Sequence, residues 1–434
     1  MRKALIIALI ALLACQLFAG GSKEPAESTT PAAASTGVSI TFLNSKGEIQ
    51  AALEKIAKQY TRETGVKLDI IACGAGEVPY TKITTMYNSG NAPTLAMLDP
   101  TDIVSLGSYY ALDLTDEDWV KENETTVTRF EDGKIYSFPF CVEGRGIIYN
   151  GDAISSVLGR EFDPDSIKGY SDFAALLAEM RAKGMKYPVF IAMEDWSLGA
   201  HQLGFIYDAY DGTTEGADEV INLLKNGTDP LTIDRYNQFI ETFNLLMEYN
   251  YGHLDPLGVD YDEGALLLAM GEVAFWPNGC WAWPNMEEGG AETDQDFGFL
   301  PFFLGDDPDD FANNGMQAAA TKAVIIDRVQ ASAEQQQAAK DFLNWLVFNE
   351  NGQKALVEDC AIIPASGNNP FPPLDPLGAD IVAKMAAGKT YSSVAITPSD
   401  HWSTMGASMQ KYLAGRSSAE TLASELTSYW TKQK

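Results

Sequence analysis

Hydrophobic and polar positions along this chain follow two periods that take turns. Residues Val38-Ser-Ile-Thr-Phe-Leu43 alternate apolar with polar side chains and are rich in β-branched types, which predicts a strand. After the turn-forming run Asn44-Ser45-Lys46-Gly47, apolar Ile49, Leu53, Ile56 and Tyr60 recur at helical spacing until Gly65 ends the helix. Val66 to Ile71 is strand-like again. Strand, glycine turn, helix and strand make a βαβ unit, whose right-handed crossover puts the turn at the carboxyl edge of a parallel sheet, where ligands collect. The pattern continues with a helix near Tyr80 to Asn88, a strand at Thr94 to Leu98 and a polar break at Asp99-Pro100-Thr101-Asp102. Further strand-like segments are Ile135 to Phe140, Gly146 to Tyr149, Tyr187 to Ala192, Val273 to Trp276 and Ala323 to Ile326. Helical periodicity is clearest at Ser171 to Lys183, Arg235 to Tyr249, Ala333 to Asn349 and Ala407 to Ala414. The fold class is α/β, with helices concentrated late in the chain and no repeat of fixed period.

The amino terminus follows neither period. Arg2 and Lys3 precede the apolar run Ala4 to Ala14 and then Cys15, the order of an export signal. A helix of that run spans about 17 Å, short of a ~30 Å hydrocarbon core, so an address is expected rather than a span. Leu12-Leu13-Ala14-Cys15 resembles a bacterial lipobox, in which the cysteine becomes the lipidated first residue. A conventional signal cut after Ala19 is the alternative. Residues 1–15 are therefore expected to be a signal with lipobox. Residues 16–37, rich in Gly, Ser, Thr, Pro, Ala and Glu, are expected to be a flexible tether. The roughly 400 residues that remain exceed what one core organises and imply at least two domains. The expected location is periplasmic or cell-surface, anchored to the membrane.

Composition narrows the chemistry. With 46% hydrophobic and 21% charged residues the chain reads as globular once exported. Thirty basic residues against 60 acidic give a net charge of -30, which repels nucleic acid, anionic lipid and phosphorylated ligands and favours a neutral or cationic one. Beyond Cys15, the cysteines Cys73, Cys141, Cys280 and Cys360 are isolated, unlike metal or redox pairs, and read as core fillers; four cysteines allow three disulfide pairings, among which sequence does not choose. His201, His253 and His401 are too scattered for a zinc site or an evident nucleophile and base. No metal, cofactor or catalytic residue is expected.

Several segments carry a likeness in their order and spacing. Asn44-Ser45-Lys46-Gly47 opens the first helix. Gly133-Lys134-Ile135-Tyr136-Ser137-Phe138-Pro139 leads into Val142-Glu143-Gly144-Arg145-Gly146-Ile147-Ile148-Tyr149-Asn150. Tyr187-Pro188 precedes Glu194-Asp195-Trp196, and Gly271-Glu272-Val273-Ala274-Phe275 precedes Asn278-Gly279-Cys280-Trp281-Ala282-Trp283. Phe297 to Pro301 and Trp345 to Ala365 complete the series. Over nearly the whole mature chain this resembles the family 1 extracellular solute-binding proteins of ABC transporters, within them the maltose-binding branch. The resemblance implies a two-lobed, periplasmic binding protein type II-like fold with discontinuous lobes joined by a hinge. Lobe 1 would comprise 38–142 with 315–361 and lobe 2 146–311 with 366–434, crossing near 141–146, 302–314 and 361–366. A carbohydrate, sugar or oligosaccharide, would bind in the cleft, and hinge closure would signal the ABC permease subunits. The protein would act as a monomer.

Sugar recognition needs an apolar platform for the C–H face of the ring and planar polar groups that bridge hydroxyls. Trp276, Trp281 and Trp283 surround a Pro-Asn-Gly break, where a continuing core strand would be awkward. The resemblance makes Trp281 a stacking residue, with Trp196, Trp283 and Trp402 as further platforms, and leaves His401 structural. Lys46, at a helix start, is a candidate donor to a hydroxyl; Asp99 either faces the cleft or caps the next helix. Glu143 and Arg145 at the hinge either bind ligand or pair with each other, and Glu194 is a further carboxylate contact. The run Asp99-Pro100-Thr101-Asp102 lacks an arginine often found there in the maltose branch, which speaks against maltose itself. Two other readings stay open: a polyamine or other cation held by carboxylates and aromatic faces, and a glycoside hydrolase using Glu143 and Glu194 as acid and nucleophile.

Overall fold

A computed structural model of the protein describes residues 33–74 and 77–433; the expected signal, Cys15 and the first part of the tether lie outside them. The tether's last residues run along the end of the first helix, where Ala33 N–H donates to Arg62 O at 2.8 Å and Thr36 N–H to Gly65 O at 3.1 Å. The opening βαβ unit forms as expected. Strand β1 (Ser39–Asn44) pairs in parallel with β2 (Lys67–Ala72), and helix α1 (Gln50–Thr64) crosses between them. Leu53, Ile56, Ala57 and Tyr60 are the buried face of α1, and Gly65, at φ 74°, takes the left-handed C-cap. On the other side of β1, β3 (Leu95–Leu98) also pairs in parallel, after helix α2 (Pro79–Asn88). Helix α3 (Pro100–Tyr110) follows it directly, with Pro100 in the first turn, where a missing N–H costs nothing.

Two long strands connect the rest. β4 (Phe138–Asn150) is buried throughout and joins two strand-like segments that the sequence separates. It pairs antiparallel with β7 (Met316–Ile326) over Phe138–Arg145, and with β5 (Phe275–Gly279) and β6 (Phe297–Leu300) over Arg145–Asn150. The register shifts around Cys141, where the short β8 (Ile363–Pro364) pairs with the same strand; β7 also pairs with the short β9 (Thr390–Tyr391). The main strand order is β2-β1-β3-β7-β4-β5. Pro277 does not break β5, contrary to expectation, because β5 closes this order at one end and an edge strand tolerates a missing N–H; the strand ends only at Gly279. Tyr187 to Ala192 is not a strand: only Val189 forms bridges, to Asn250 and Phe275, and the Asn250 side chain takes the Ile191 N–H from any ladder.

Apolar side chains divide into two sets of cores. One set draws on residues from Ile40 to Cys141 and from Ala323 to Ile362. The other draws on Val142 to Ala318 and on Ile363 to Trp430, including Phe302, Phe303 and Leu304. The chain is thus two-lobed and α/β, and each lobe is built from separated stretches. Around the second set pack α4 (Tyr170–Ala182), α5 (Asp234–Glu248), α6 (Tyr261–Ala269), α8 (His401–Leu413) and α9 (Ala419–Trp430); α7 (Ala333–Phe348), opened by a Ser332/Gln335 capping box, packs on the first. A fully buried leucine or phenylalanine contributes about 1.5–3 kcal/mol in such cores. The four described cysteines are free thiols, three of them buried and Cys73 partly exposed.

His401 begins α8 in the core of the second lobe. Its Nε2 meets the Tyr207 hydroxyl at 2.9 Å, and that hydroxyl accepts from Trp430 Nε1, so its own proton points at the imidazole. Burial pushes the His401 pKa from 6.5 down to about 3, and the folded protein holds it neutral. The unfolded chain takes up a proton below about 6.5. Stability from this group is therefore complete above that pH and is lost as pH falls towards about 3. Urea midpoints between pH 7 and pH 4 should decline, and His401→Gln, which keeps an acceptor for Tyr207, should flatten the decline; an unchanged slope refutes the assignment.

Candidate ligand-binding cleft

The seam between the two cores is where the loop ends of β1 and β3 meet β4, β7 and the second lobe. Asn44 sets the first loop: its side-chain oxygen accepts from Lys46 N–H at 2.9 Å and its amide donates to Lys46 O at 2.7 Å. This turn holds the Lys46 ammonium, only 3% exposed, against Glu48 at 2.7 Å and against Glu143 on β4. Burial disfavours that ammonium, but Glu143 and Glu48 outweigh it and hold its pKa well above the lysine range. Burial likewise works against ionised Glu143, yet Lys46 and then Lys322 keep its pKa below the usual value, and the Thr321 hydroxyl donates to it. Lys322 pairs in turn with Asp99. Asp99 holds the N-cap position of α3 without a capping bond from its side chain. A line of alternating charges thus runs Glu48, Lys46, Glu143, Lys322, Asp99, and Glu143 pairs with Lys46 rather than with Arg145.

Arg145 faces the second lobe. Its Nη1 donates to the carbonyls of Ala200 at 3.1 Å and His201 at 2.9 Å, its Nη2 to Asp208, and its guanidinium lies 4.7 Å from the centre of the Phe205 ring. Burial raises Asp208 to a pKa of about 6 despite that partner, and Asp208 also accepts from Ala395 N–H at 2.7 Å. The carbonyls that Arg145 holds belong to a π-helical turn, Ser197–Gln202. Gly199 and Gly406 let this turn lie directly on α8: a Cβ at Gly199 would sit 2.1 Å from Trp402 O, and one at Gly406 would sit 2.2 Å from Asp195 O.

The π-turn assembles an aromatic arc. Trp196 and His201 are five residues apart, about 140° apart around an α-helix, but the wider turn brings their ring centres to 5.3 Å. His201 is 4.5 Å from Trp281, whose ring covers Gly279 so closely that a Cβ there would lie 2.1 Å away. Tyr261, at the start of α6, is 5.4 Å from Trp196 and 4.8 Å from Trp276. Glu194 Oε1 accepts from Tyr261 N–H at 2.8 Å; burial raises its pKa against that bond. Burial, then Arg145, lowers the His201 pKa to about 3.

Trp196, Trp281 and Glu194 therefore come together, and Trp402, half-buried, adjoins them through its backbone. Trp283, 2% exposed, and Trp276 are core residues packed among Met286, Phe297 and Phe190, so Trp283 offers no ring face to a cleft. Lys46, Asp99 and Arg145 are committed to partners within the protein. Sequence reasoning missed His201, Gln202, Tyr261, Asp208 and Lys322; the signal nearest to hand was a histidine just past a tryptophan, at a spacing no α-helical or strand period brings together. Buried polar atoms without a hydrogen-bond partner occur on residues of this wall: Arg145 Nε, Glu194 Oε2, His201 Nδ1 and Gln202 Oε1. Such atoms cost free energy unless a bonding partner meets them, which suits a polar ligand. Glu143, kept ionised by Lys46, is poorly suited to be the acid of a glycosidase pair.

Residues 55–368 match the family model described as bacterial extracellular solute-binding protein. A multiple sugar-binding protein of Streptococcus mutans is 23% identical over 360 residues, covering 78% of this chain and 79% of that protein. Among solved structures, the solute-binding protein RafE in complex with raffinose is similar with a TM-score of 0.74 at 18% identity, over 92% of this chain and 100% of that one. A chitin oligosaccharide binding protein gives 0.72 at 19% identity, over 91% and 98%. A sugar transporter from Bacillus licheniformis in complex with stachyose gives 0.69 at 17%, over 92% and 100%.

Removing Lys46 from the buried ion line should expose the line's cost. Lys46→Met leaves Glu143 buried without its nearest cation and should destabilise the fold by about 3 kcal/mol. Adding Glu143→Gln to that variant should recover much of the loss, as read from denaturant midpoints. A single variant as stable as the parent would show that the pair carries no net constraint.

Proposed function

This chain belongs to the bacterial extracellular solute-binding protein family, and we propose that it captures a carbohydrate between its lobes and delivers it to an ABC importer, without catalysing a reaction. The observation that carries this reading is the arc of Trp196, His201 and Trp281 beside buried, unpartnered polar atoms of Glu194, Gln202 and His201. Ring faces of that kind suit the C–H face of a sugar, and the polar atoms suit its hydroxyls. Lys46, Lys322 and Arg145 are paired with acids, which favours a ligand without charge. The described ligands of similar proteins, raffinose, stachyose and chitin oligosaccharide, support an oligosaccharide.

The lobes meet along three crossings. We place lobe 1 at 38–141 with 323–362 and lobe 2 at 142–318 with 363–433. The return crossing then lies inside β7 rather than at 302–314, because Phe302, Phe303, Leu304 and Ala312 belong to the second lobe's core. Ala361, the non-glycine residue at φ 50°, sits at the third crossing. Family membership implies export. The run Leu12-Leu13-Ala14-Cys15 and the tether after it support anchoring by a lipid on Cys15. A single chain supplies both walls of the cleft, consistent with action as a monomer.

Titration with raffinose, stachyose and chito-oligosaccharides should change tryptophan fluorescence saturably without releasing reducing sugar. By calorimetry, Trp281→Ala should weaken the best of these sugars roughly tenfold or more with little loss of stability. Trp283→Ala should instead destabilise the fold by about 3–5 kcal/mol through the cavity it leaves. A saturable response to spermidine with none to any sugar, or release of reducing sugar, would sink this reading.

A further inference from the structure

We propose that His201 contacts the ligand and selects a hydroxylated ring over a polyamine. The proposal rests on the carbohydrate reading above and assigns one side chain the choice between the two ligand classes. His201 lies within the aromatic arc, its ring centre 5.3 Å from Trp196 and 4.5 Å from Trp281. Its Nδ1 is buried and has no hydrogen-bond partner, although Arg145 fixes the backbone carbonyl of the same residue at 2.9 Å. The imidazole is thus held in place by its main chain while its polar edge stays uncommitted.

The ring's protonation state defines what that edge can bind. Burial, followed by the field of Arg145, keeps the imidazole neutral, with Lys322 and Lys46 acting in the same direction and Glu143 opposing them. A neutral imidazole offers one donor and one acceptor. A sugar hydroxyl both donates and accepts, so it answers whichever nitrogen faces it. An ammonium group only donates, so it answers the ring only where the acceptor nitrogen faces it, whereas a hydroxyl answers either nitrogen. An anionic ligand would find Lys46, Lys322 and both terminal nitrogens of Arg145 already engaged with protein groups, which leaves it only the buried Arg145 Nε. Shape and charge therefore coincide on an uncharged, hydroxyl-bearing ring.

Two substitutions at His201 separate ring from hydrogen bond. His201→Phe keeps an aromatic face between the tryptophans and removes the polar edge; His201→Asn removes the ring and keeps a donor and an acceptor near Nδ1. Calorimetry with raffinose, stachyose and a chito-oligosaccharide on the full chain should show His201→Phe weakened about tenfold for the sugar that wild type binds best. His201→Asn should remain within about threefold of wild type. Melting temperatures should stay close to wild type for both. If His201→Phe does not fold, His201→Ala takes its place with the same expectation. Equal sugar affinity in wild type and the Phe or Ala variant overturns this inference and leaves the carbohydrate reading intact. So does an Asn variant no better than Phe. Wild type that binds spermidine and no sugar overturns both.

Discussion

A lysine ammonium withdrawn from water costs several kcal/mol unless oxygen atoms take the place of its hydration shell. Lys46 meets that demand with Glu48 from its own turn and Glu143 from the strand that crosses between lobes. Glu143 then needs neutralising itself, which Lys46 does from one side and Lys322 from β7, and Lys322 leads on to Asp99 at the end of β3. The turn after β1 and the turn after β3 are thus tied by charge to the two long strands, which their own ladder already joins at these positions. This arrangement spends the cations of the seam on the protein itself. The recognition proposed above then falls to the aromatic arc across the seam, on elements belonging to the second lobe.

Those elements are held by a second ion pair of the same kind. Arg145, on the same strand as Glu143, reaches the opposite way to Asp208 and to the carbonyls of the π-turn. Side chains on β4 alternate in direction, yet 143 and 145 share a parity, so the two residues leave the strand on one side and part towards different lobes along its length. A bend in β4 between them would change the distance from Lys46 to the π-turn. Gly144 sits between the two, with so little room that a Cβ would lie 2.2 Å from Ile381 Cδ1. The strand therefore carries, two residues apart, the contact to Lys46 in one lobe and the contacts to the π-turn in the other.

Most of the fold was legible because it follows local periodicity. The run from Val38 to Ile71 showed strand, turn, helix and strand with ends within a residue or two of those observed, since each buried face there is a simple period and Gly65 supplies an unambiguous stop. Tyr187 to Ala192 misled because an apolar run states burial without stating a ladder, and Asn250, far away in sequence, took its hydrogen bonds. The candidate site was legible where aromatics stood in loops beside acids, as at Glu194 to Trp196. It was illegible where the geometry depends on pairing between distant residues: Asp208 for Arg145, Lys322 for Asp99. Trp283 shows the converse error, since a tryptophan two residues from Trp281 points into the core once a helix begins at residue 283. His201 was hidden by the π-turn, whose spacing matches neither common period.

The four described thiols differ in one way that has a practical use. Cys141, Cys280 and Cys360 are buried in the cores, whereas Cys73, just past the end of β2, is partly open. Its pKa is raised, chiefly by burial, with Lys82 opposing, so its thiolate is scarce at neutral pH and abundant only under alkaline conditions. Brief treatment of the folded protein with a thiol-reactive dye at alkaline pH would favour that position over the other three. The same charges that surround Asp99 and Lys322 reach Cys73, so a fluorophore placed there would sit within range of the seam. Without any substitution among the described residues, the protein carries an attachment point for an optical reporter near the seam between its cores.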